Sequence, residues 1–164
     1  MRFLRLFVVL IISLCFLNVW TQSSVVEIKE SNNKFQFYKN GKPYYIKGAG
    51  AKSNFKKIVE SGGNSIRLWS TNKSSLLDSA QKYGLSVCQG IWIAQERNGF
   101  DYNDDYNVKG QIELIKKEIL RVKEHPSIII WGIGIEVDLK YSNFRVWETI
   151  EEIAKFIKKV DPNH

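Results

Sequence analysis

The segment Ser127–Val137, "SIIIWGIGIEV", carries apolar residues or glycine at every position from Ile128 to Ile135 and then a carboxylate, Glu136. A strand apolar on both faces belongs to a parallel sheet covered by helices. Either Glu136 is an ordinary strand-end residue reaching for water, or the strand exists to hold it.

Outward from this strand the chain alternates. Upstream, "NVKGQIELIKKEILRVKEH" places Val108, Ile112, Ile115, Ile119 and Val122 at steps of four, three, four and three, which predicts a helix ended by Pro126. "LSVCQGIWI" and "NSIRLWS" read as strands. Between them lies the helix "SSLLDSAQKY", with Ser74 as N-cap and Gly84 as stop. "NFKKIVES" is a short helix stopped by Gly62 and Gly63. Downstream, Val146, Ile150, Ile153, Ile157 and Val160 share one face of a last helix. Before all of these, "VVEIKE" and "KFQFYK" flank "SNN" as a hairpin, and "NGKP" turns the chain into the short strand "YYIKGAG".

The fold class is therefore α/β, a β-hairpin followed by four strand–helix units. "KGAGAKS" at Lys47–Ser53 fits neither the P-loop nor the G-x-G-x-x-G spacing, so it reads as a tight turn rather than a phosphate cradle. The other parallel architecture is a (β/α)8 barrel of the TIM type, which needs eight such units where four are present. The boundaries expected are a leader over 1–22, the hairpin over 23–43 and the half barrel over 44–164. The long loop "AQERNGFDYNDDY" follows the third strand of the barrel, at the end where ligand sites sit.

The leader reading rests on "MRFLRLFVVLIISLCFLNVWTQS": basic residues, then an apolar run from Leu6 to Leu17, too short for a comfortable membrane span. Export is expected, with a retained signal anchor as the alternative and no stable membrane span in the mature form. Leu14 stands before Cys15 where a lipoprotein site wants a small residue, so lipidation has only weak support. Without the leader the only cysteine is Cys88, so disulfides do not stabilise this fold. The formal charge of +7 falls to +5 with Arg2 and Arg5 gone. The remaining lysines interleave with glutamates on helix faces, which excludes a dedicated nucleic-acid stripe. Hydrophobic residues at 44% place the chain among globular domains, and five tryptophans suggest that some line a pocket.

The strand ends collect reactive side chains: Lys47 on the first, Arg67 and Trp69 on the second, Trp92, Gln95, Glu96 and Arg97 on the third, Glu136 and Asp138 on the fourth. Carboxylates, arginines and indoles on one face suit sugar hydrolysis. One carboxyl group donates a proton to the leaving oxygen, and another attacks the anomeric carbon or activates water. Each residue also has a plain scaffold role. Arg67 can pair with Glu136 or Glu96, the indoles can be core, His125 can cap a helix, and "DYNDD" lacks calcium-loop spacing. Composition and spacing leave sugar hydrolysis as one candidate among several.

"GGNSIRLWS", "LLDSAQKYGLSVCQGIWI", "RNGFDYND" and "HPSIIIWGIGIEV" together resemble the barrel domain of glycoside hydrolase family two, the β-galactosidase and β-glucuronidase type. The resemblance runs from about Lys42 to the end. It implies a retaining β-glycosidase acting on an oligo- or polysaccharide with no cofactor and no metal. It assigns Glu136 as general acid/base in a partly desolvated site, and Arg67, Trp69, Trp92, Glu96 and Arg97 as substrate-binding residues. Two departures stand out. Ile135 occupies the place of an asparagine that holds the sugar's 2-hydroxyl. The family's nucleophile is a glutamate on a seventh strand, past the fourth helix where this sequence stops, so the chain alone is expected to be inactive. The alternative is a non-catalytic carbohydrate-binding module, and open barrel edges allow two half barrels to associate.

Overall fold

The asparagines of the predicted turns adopt left-handed backbone. Strands β1 (Val26–Ser31) and β2 (Lys34–Lys39) join through Asn32 and Asn33, at φ 53° and 58°. Positive φ at both central residues matches the right-handed twist of the flanking strands. Asn40 and Gly41, at φ 50° and 73°, repeat the device into β3 (Lys42–Pro43), completing an antiparallel sheet of order β1-β2-β3. The computed structural model describes residues 23–164. The expected leader, with Cys15, lies outside them.

The second sheet is parallel, in order β4-β5-β6-β7, with β4 Gly48–Gly50, β5 Ser65–Leu68, β6 Ser86–Ile91 and β7 Ile128–Ile133. Helices α1 (Phe55–Glu60), α2 (Ser75–Lys82), α3 (Asp105–Val122) and α4 (Arg145–Val160) follow the four strands in turn. This is the expected succession of four strand–helix units. A bulge interrupts the last pairing: Val87 faces Ile128, whereas Cys88 faces Ile130. Such an insertion bends the strand and increases its local twist.

The helices cover one face of this sheet. Ile66, Leu68 and Val87 pack with Leu77, Ala80 and Leu85, while Ile91 and Ile93 pack with Ile112, Ile119, Ile153 and Ile157. All five residues of the predicted α3 stripe are buried. In α4, Val146, Ile153 and Ile157 are buried with Thr149, while Ile150 and Val160 are only half-buried. The helix ends differ from expectation. Ser74 sits at the α2 N-cap position with helical φ and ψ and makes no side-chain cap bond. Asp104 caps α3, accepting the N–H groups of Tyr106 and Asn107 at 2.9 and 3.1 Å. His125 caps nothing through its ring: Nδ1 meets Ser127 Oγ at 2.8 Å, and Nε2 meets Asp78 at 3.3 Å.

The antiparallel sheet closes the amino end of the parallel one. The Tyr44 hydroxyl donates to the Asn64 carbonyl and contacts Ser65 Oγ and Ser86 Oγ, each at 3.0 Å. Lys39 Nζ donates to Ser86 Oγ at 2.8 Å, and its burial lowers the ammonium pKa. With the amino ends of β5 and β6 covered, the carboxyl ends remain free, the end where (β/α)8 barrels place their chemistry. Among the described residues, no helix covers the other face of the sheet. Arg67 is exposed on it, with Cys88 and Gly132 as neighbours.

Candidate active site

Strand β7 ends at Ile133, three residues before Glu136. Gly134 turns the chain at φ 73°, and Glu136 itself is left-handed at φ 45°. A glutamate in that region is strained by about 1–2 kcal/mol, and such strain concentrates at functional positions. A neighbouring side chain fixes the turn. Gln95, only 3% exposed, donates from Nε2 to the Ile135 carbonyl. Its Oε1 accepts from Arg97 Nε at 2.9 Å and from Asn98 Nδ2 at 2.8 Å. Arg97 in turn donates from Nη2 to Glu136 Oε2 at 2.9 Å. Gln95 thus holds both the backbone before Glu136 and the arginine that pairs with its carboxylate. The sequence gives Gln95 no role beyond its place at a strand end. Its only signal is an amide two residues from a basic group, and burial is what singles it out.

Glu96 is engaged elsewhere. Its carboxylate accepts the backbone N–H groups of Ser142 and Asn143 at 2.7 and 3.1 Å, and the Ser142 hydroxyl at 3.0 Å. These bonds tie the loop after β6 to the loop before α4. The Asn143 and Ser142 amides hold the Glu96 carboxyl below its ordinary pKa. Arg67 pairs with neither Glu136 nor Glu96. Among the described residues it forms no ion pair, and it lies on the open face beside Cys88. Burial pushes the Cys88 thiol pKa up, with the Arg67 charge opposing. Trp69 and Trp92 line a different groove, of about 730 Å³, which contains neither Glu136 nor Arg97. The six expected site residues therefore separate: Glu136 pairs with Arg97, Glu96 holds Ser142 and Asn143, Arg67 lies alone on the other face of the sheet, and the two tryptophans line one groove.

The expected desolvation of Glu136 is not met by these residues, since its side chain is 63% exposed. What stands there is a carboxylate paired with Arg97 on a strained, tethered turn. Among the described residues, no group of three His, Cys, Asp or Glu side chains can hold a metal ion. "DYNDD" instead supplies the α3 cap and a local turn in which Asp101 accepts from Asn103. Among the described residues, no helix is long and apolar enough to cross a membrane.

Residues 68–164 match the family described as glycosyl hydrolases family 2, TIM barrel domain, which is more than half of the chain. The chain belongs to glycosyl hydrolase family 2. Solved structures agree on the fold. A GH2 β-galacturonidase from Eisenbergiella tayi bound to galacturonate is similar at 23% identity and a TM-score of 0.63, over 85% of this chain and 27% of that one. A β-glucuronidase from Ruminococcus gnavus is 17% identical, with a TM-score of 0.62 over 84% of this chain and 26% of its own. A Faecalibacterium prausnitzii β-glucuronidase gives 16% and 0.63, again over 84% and 26%. No curated protein matches by sequence. The chain spans about a quarter of the length of the solved structures it resembles. The family 2 match begins at Leu68, so Trp69, Trp92, the Gln95–Arg97 group and Glu136 fall within it, and Arg67 lies immediately before it.

Proposed function

We propose that these residues form the acid/base half of a retaining β-glycosidase. Family membership supports the reaction class. The observation that carries the assignment is Glu136, held by Gln95 and Arg97 in left-handed backbone just past the carboxyl end of β7. In this reaction Glu136 gives its proton to the leaving glycosidic oxygen while a second carboxylate attacks the anomeric carbon. Glu136 then takes a proton from the water that releases the sugar. In this reading Arg97 pairs with Oε2 and leaves Oε1 for the proton, and Arg67 and Arg97 meet sugar oxygens. By resemblance the second carboxylate stands on a seventh strand, outside the four units described. The 164 residues by themselves therefore turn over no glycoside.

The test joins this chain, after His164, to the second half barrel of a structural relative such as the Eisenbergiella tayi enzyme. Chromogenic β-glucuronide, β-galacturonide and β-galactoside are then assayed. Hydrolysis by the joined protein, lost with Glu136→Gln and absent from the chain alone, is the expected result. Turnover by the chain alone that needs Glu136 would overturn the requirement for a second carboxylate.

A second reading is a carbohydrate-binding module without turnover, favoured by Ile135, whose side chain cannot hydrogen-bond a 2-hydroxyl. Sugar affinity unchanged by Glu136→Gln, with no hydrolysis by the joined protein, selects it. The edges of β4 and β7, unpaired among the described residues, support association of two copies, which a solution mass of one chain would contradict. The leader pattern supports export of the protein, tested by the amino-terminal sequence of protein recovered outside the cytoplasm.

A further inference from the structure

Glu136 stands in the loop between β7 and α4, and three consecutive side chains from the loop after β6 grip that loop at the carboxylate and on either side of it. Just before Glu136, the Ile135 carbonyl accepts from Gln95 Nε2. At Glu136, Oε2 accepts from Arg97 Nη2 at 2.9 Å. Beyond it, the N–H groups of Ser142 and Asn143 donate to the Glu96 carboxylate. Among the described residues, no segment other than Gln95–Arg97 hydrogen-bonds the loop from Ile135 to Ser142. The loop needs holding. Glu136 at φ 45° and Lys140 at φ 56° are both left-handed without being glycine. Such residues persist only where the surrounding structure over-determines them.

The polar atoms of Gln95 and Glu96 face the protein. Gln95 is 3% exposed, and its Oε1 accepts from both Arg97 Nε and Asn98 Nδ2. Both Glu96 oxygens accept protein donors, Oε2 from the two amides and Oε1 from the Ser142 hydroxyl. A sugar hydroxyl taking Oε2 would release a backbone N–H. We infer that Gln95 and Glu96 are positioning residues for Glu136 and not sugar-binding ones: they clamp its loop from both sides and fix where the carboxylate stands. This replaces the substrate-binding role that the family resemblance implied for Glu96, and it rests on the reading of Glu136 as proton donor. A donor must stand within hydrogen-bond reach of the oxygen it protonates, and a misplacement of about 1 Å can cost about 100-fold in rate. Because neither residue meets the sugar, losing one lowers kcat and leaves KM nearly unchanged.

The experiment has two arms. Both use Gln95→Met and Glu96→Met, which keep side-chain length and remove the polar bonds, and Glu96→Gln, which keeps one acceptor oxygen. Circular dichroism confirms that each variant is folded. Glu96 is only half-buried, so it carries the test if Gln95→Met fails to fold. In the first arm, NMR of the full 164-residue chain follows the left-handed signature of Glu136, a strong cross-relaxation between its own amide and α protons. The signature weakens in both methionine variants and is restored at least in part in Glu96→Gln. Ile153→Ala, which weakens the core away from this loop, leaves it unchanged. In the second arm, the joined barrel is assayed on aryl β-glycosides. Both methionine variants lose about tenfold or more in kcat for the least acidic leaving phenol and less for nitrophenol, with KM within about twofold. An unchanged signature in the chain overturns the inference. So does a rise in KM at constant kcat, which makes the residues sugar contacts, or an equal kcat loss for every leaving group. Each of these, with the loss in Glu136→Gln still graded by the leaving phenol, leaves the proton-donor reading intact. An equal loss across the series in Glu136→Gln itself sinks that reading, and this inference with it.

Discussion

The two faces of the β4–β7 sheet come from the same strands and are made of different residues. One face carries Ile66, Leu68, Val87 and Ile91 against the helices, each 3% exposed or less. The other carries Arg67, Cys88 and Gly132, with no helix over it among the described residues. Hydrophobic burial on one side therefore supplies the stability, while the other side and the carboxyl end are free to hold polar groups. Chemistry is placed where it costs the core little.

Substitutions can break this contrast. Truncation on the covered face has the largest expected effect: Ile153→Ala, at a site that is fully buried in α4, costs about 3–4 kcal/mol in urea unfolding. Next comes Gly90, where an added Cβ would lie 2.3 Å from the Leu68 carbonyl oxygen and 2.6 Å from Trp69 Cα. Both are backbone of the adjacent strand and its end, so Gly90→Ala costs about 2 kcal/mol by the same measurement. At Glu136 the sign reverses. Glycine accepts φ 45° without strain, so Glu136→Gly is more stable than Glu136→Ala by about 1 kcal/mol. Equal stabilities would remove the strain from the account.

The smallest effect belongs to the open face. Arg67→Ala changes unfolding free energy by no more than about 0.5 kcal/mol. A cost well above that would mean that something covers this face in solution.

Acid probes the loop clamp. Because the folded pKa of Glu96 is lowered, its contribution is complete above the ordinary carboxylate range and is lost as pH falls through the lowered value. The amide resonances of Ser142 and Asn143 should titrate together with a midpoint below about 4.3. A midpoint at or above that value would contradict the clamp.

Periodicity made the frame readable. The 4-3-4-3 stripe of α3 is buried residue for residue, because each position is aliphatic and the helix is long. The asparagine turns were legible because few other residues tolerate left-handed backbone. Glu136 was legible as a carboxylate closing an apolar run. Its setting was not, because the partners come from another loop: Arg97 and Gln95 lie about forty residues away, and nothing in their spacing says which carboxylate they meet. For the same reason Arg67 was open to pairing with Glu136, whereas Arg97 holds that place. The partition of the tryptophans from the glutamate was invisible too, since strand order fixes which residues share an end, not which share a cavity.

The central claim is that Glu136 transfers a proton to the leaving oxygen. The most direct measurement compares kcat/KM for Glu136 and Glu136→Gln in the joined barrel, across aryl β-glycosides whose leaving phenols range from strongly acidic to weakly acidic. A proton donor matters most where the leaving oxygen is most basic. The account predicts a small loss for the nitrophenyl substrate that grows by about 100-fold or more for the least acidic phenol. An equal loss across the series would contradict it and leave Glu136 as a binding or structural residue.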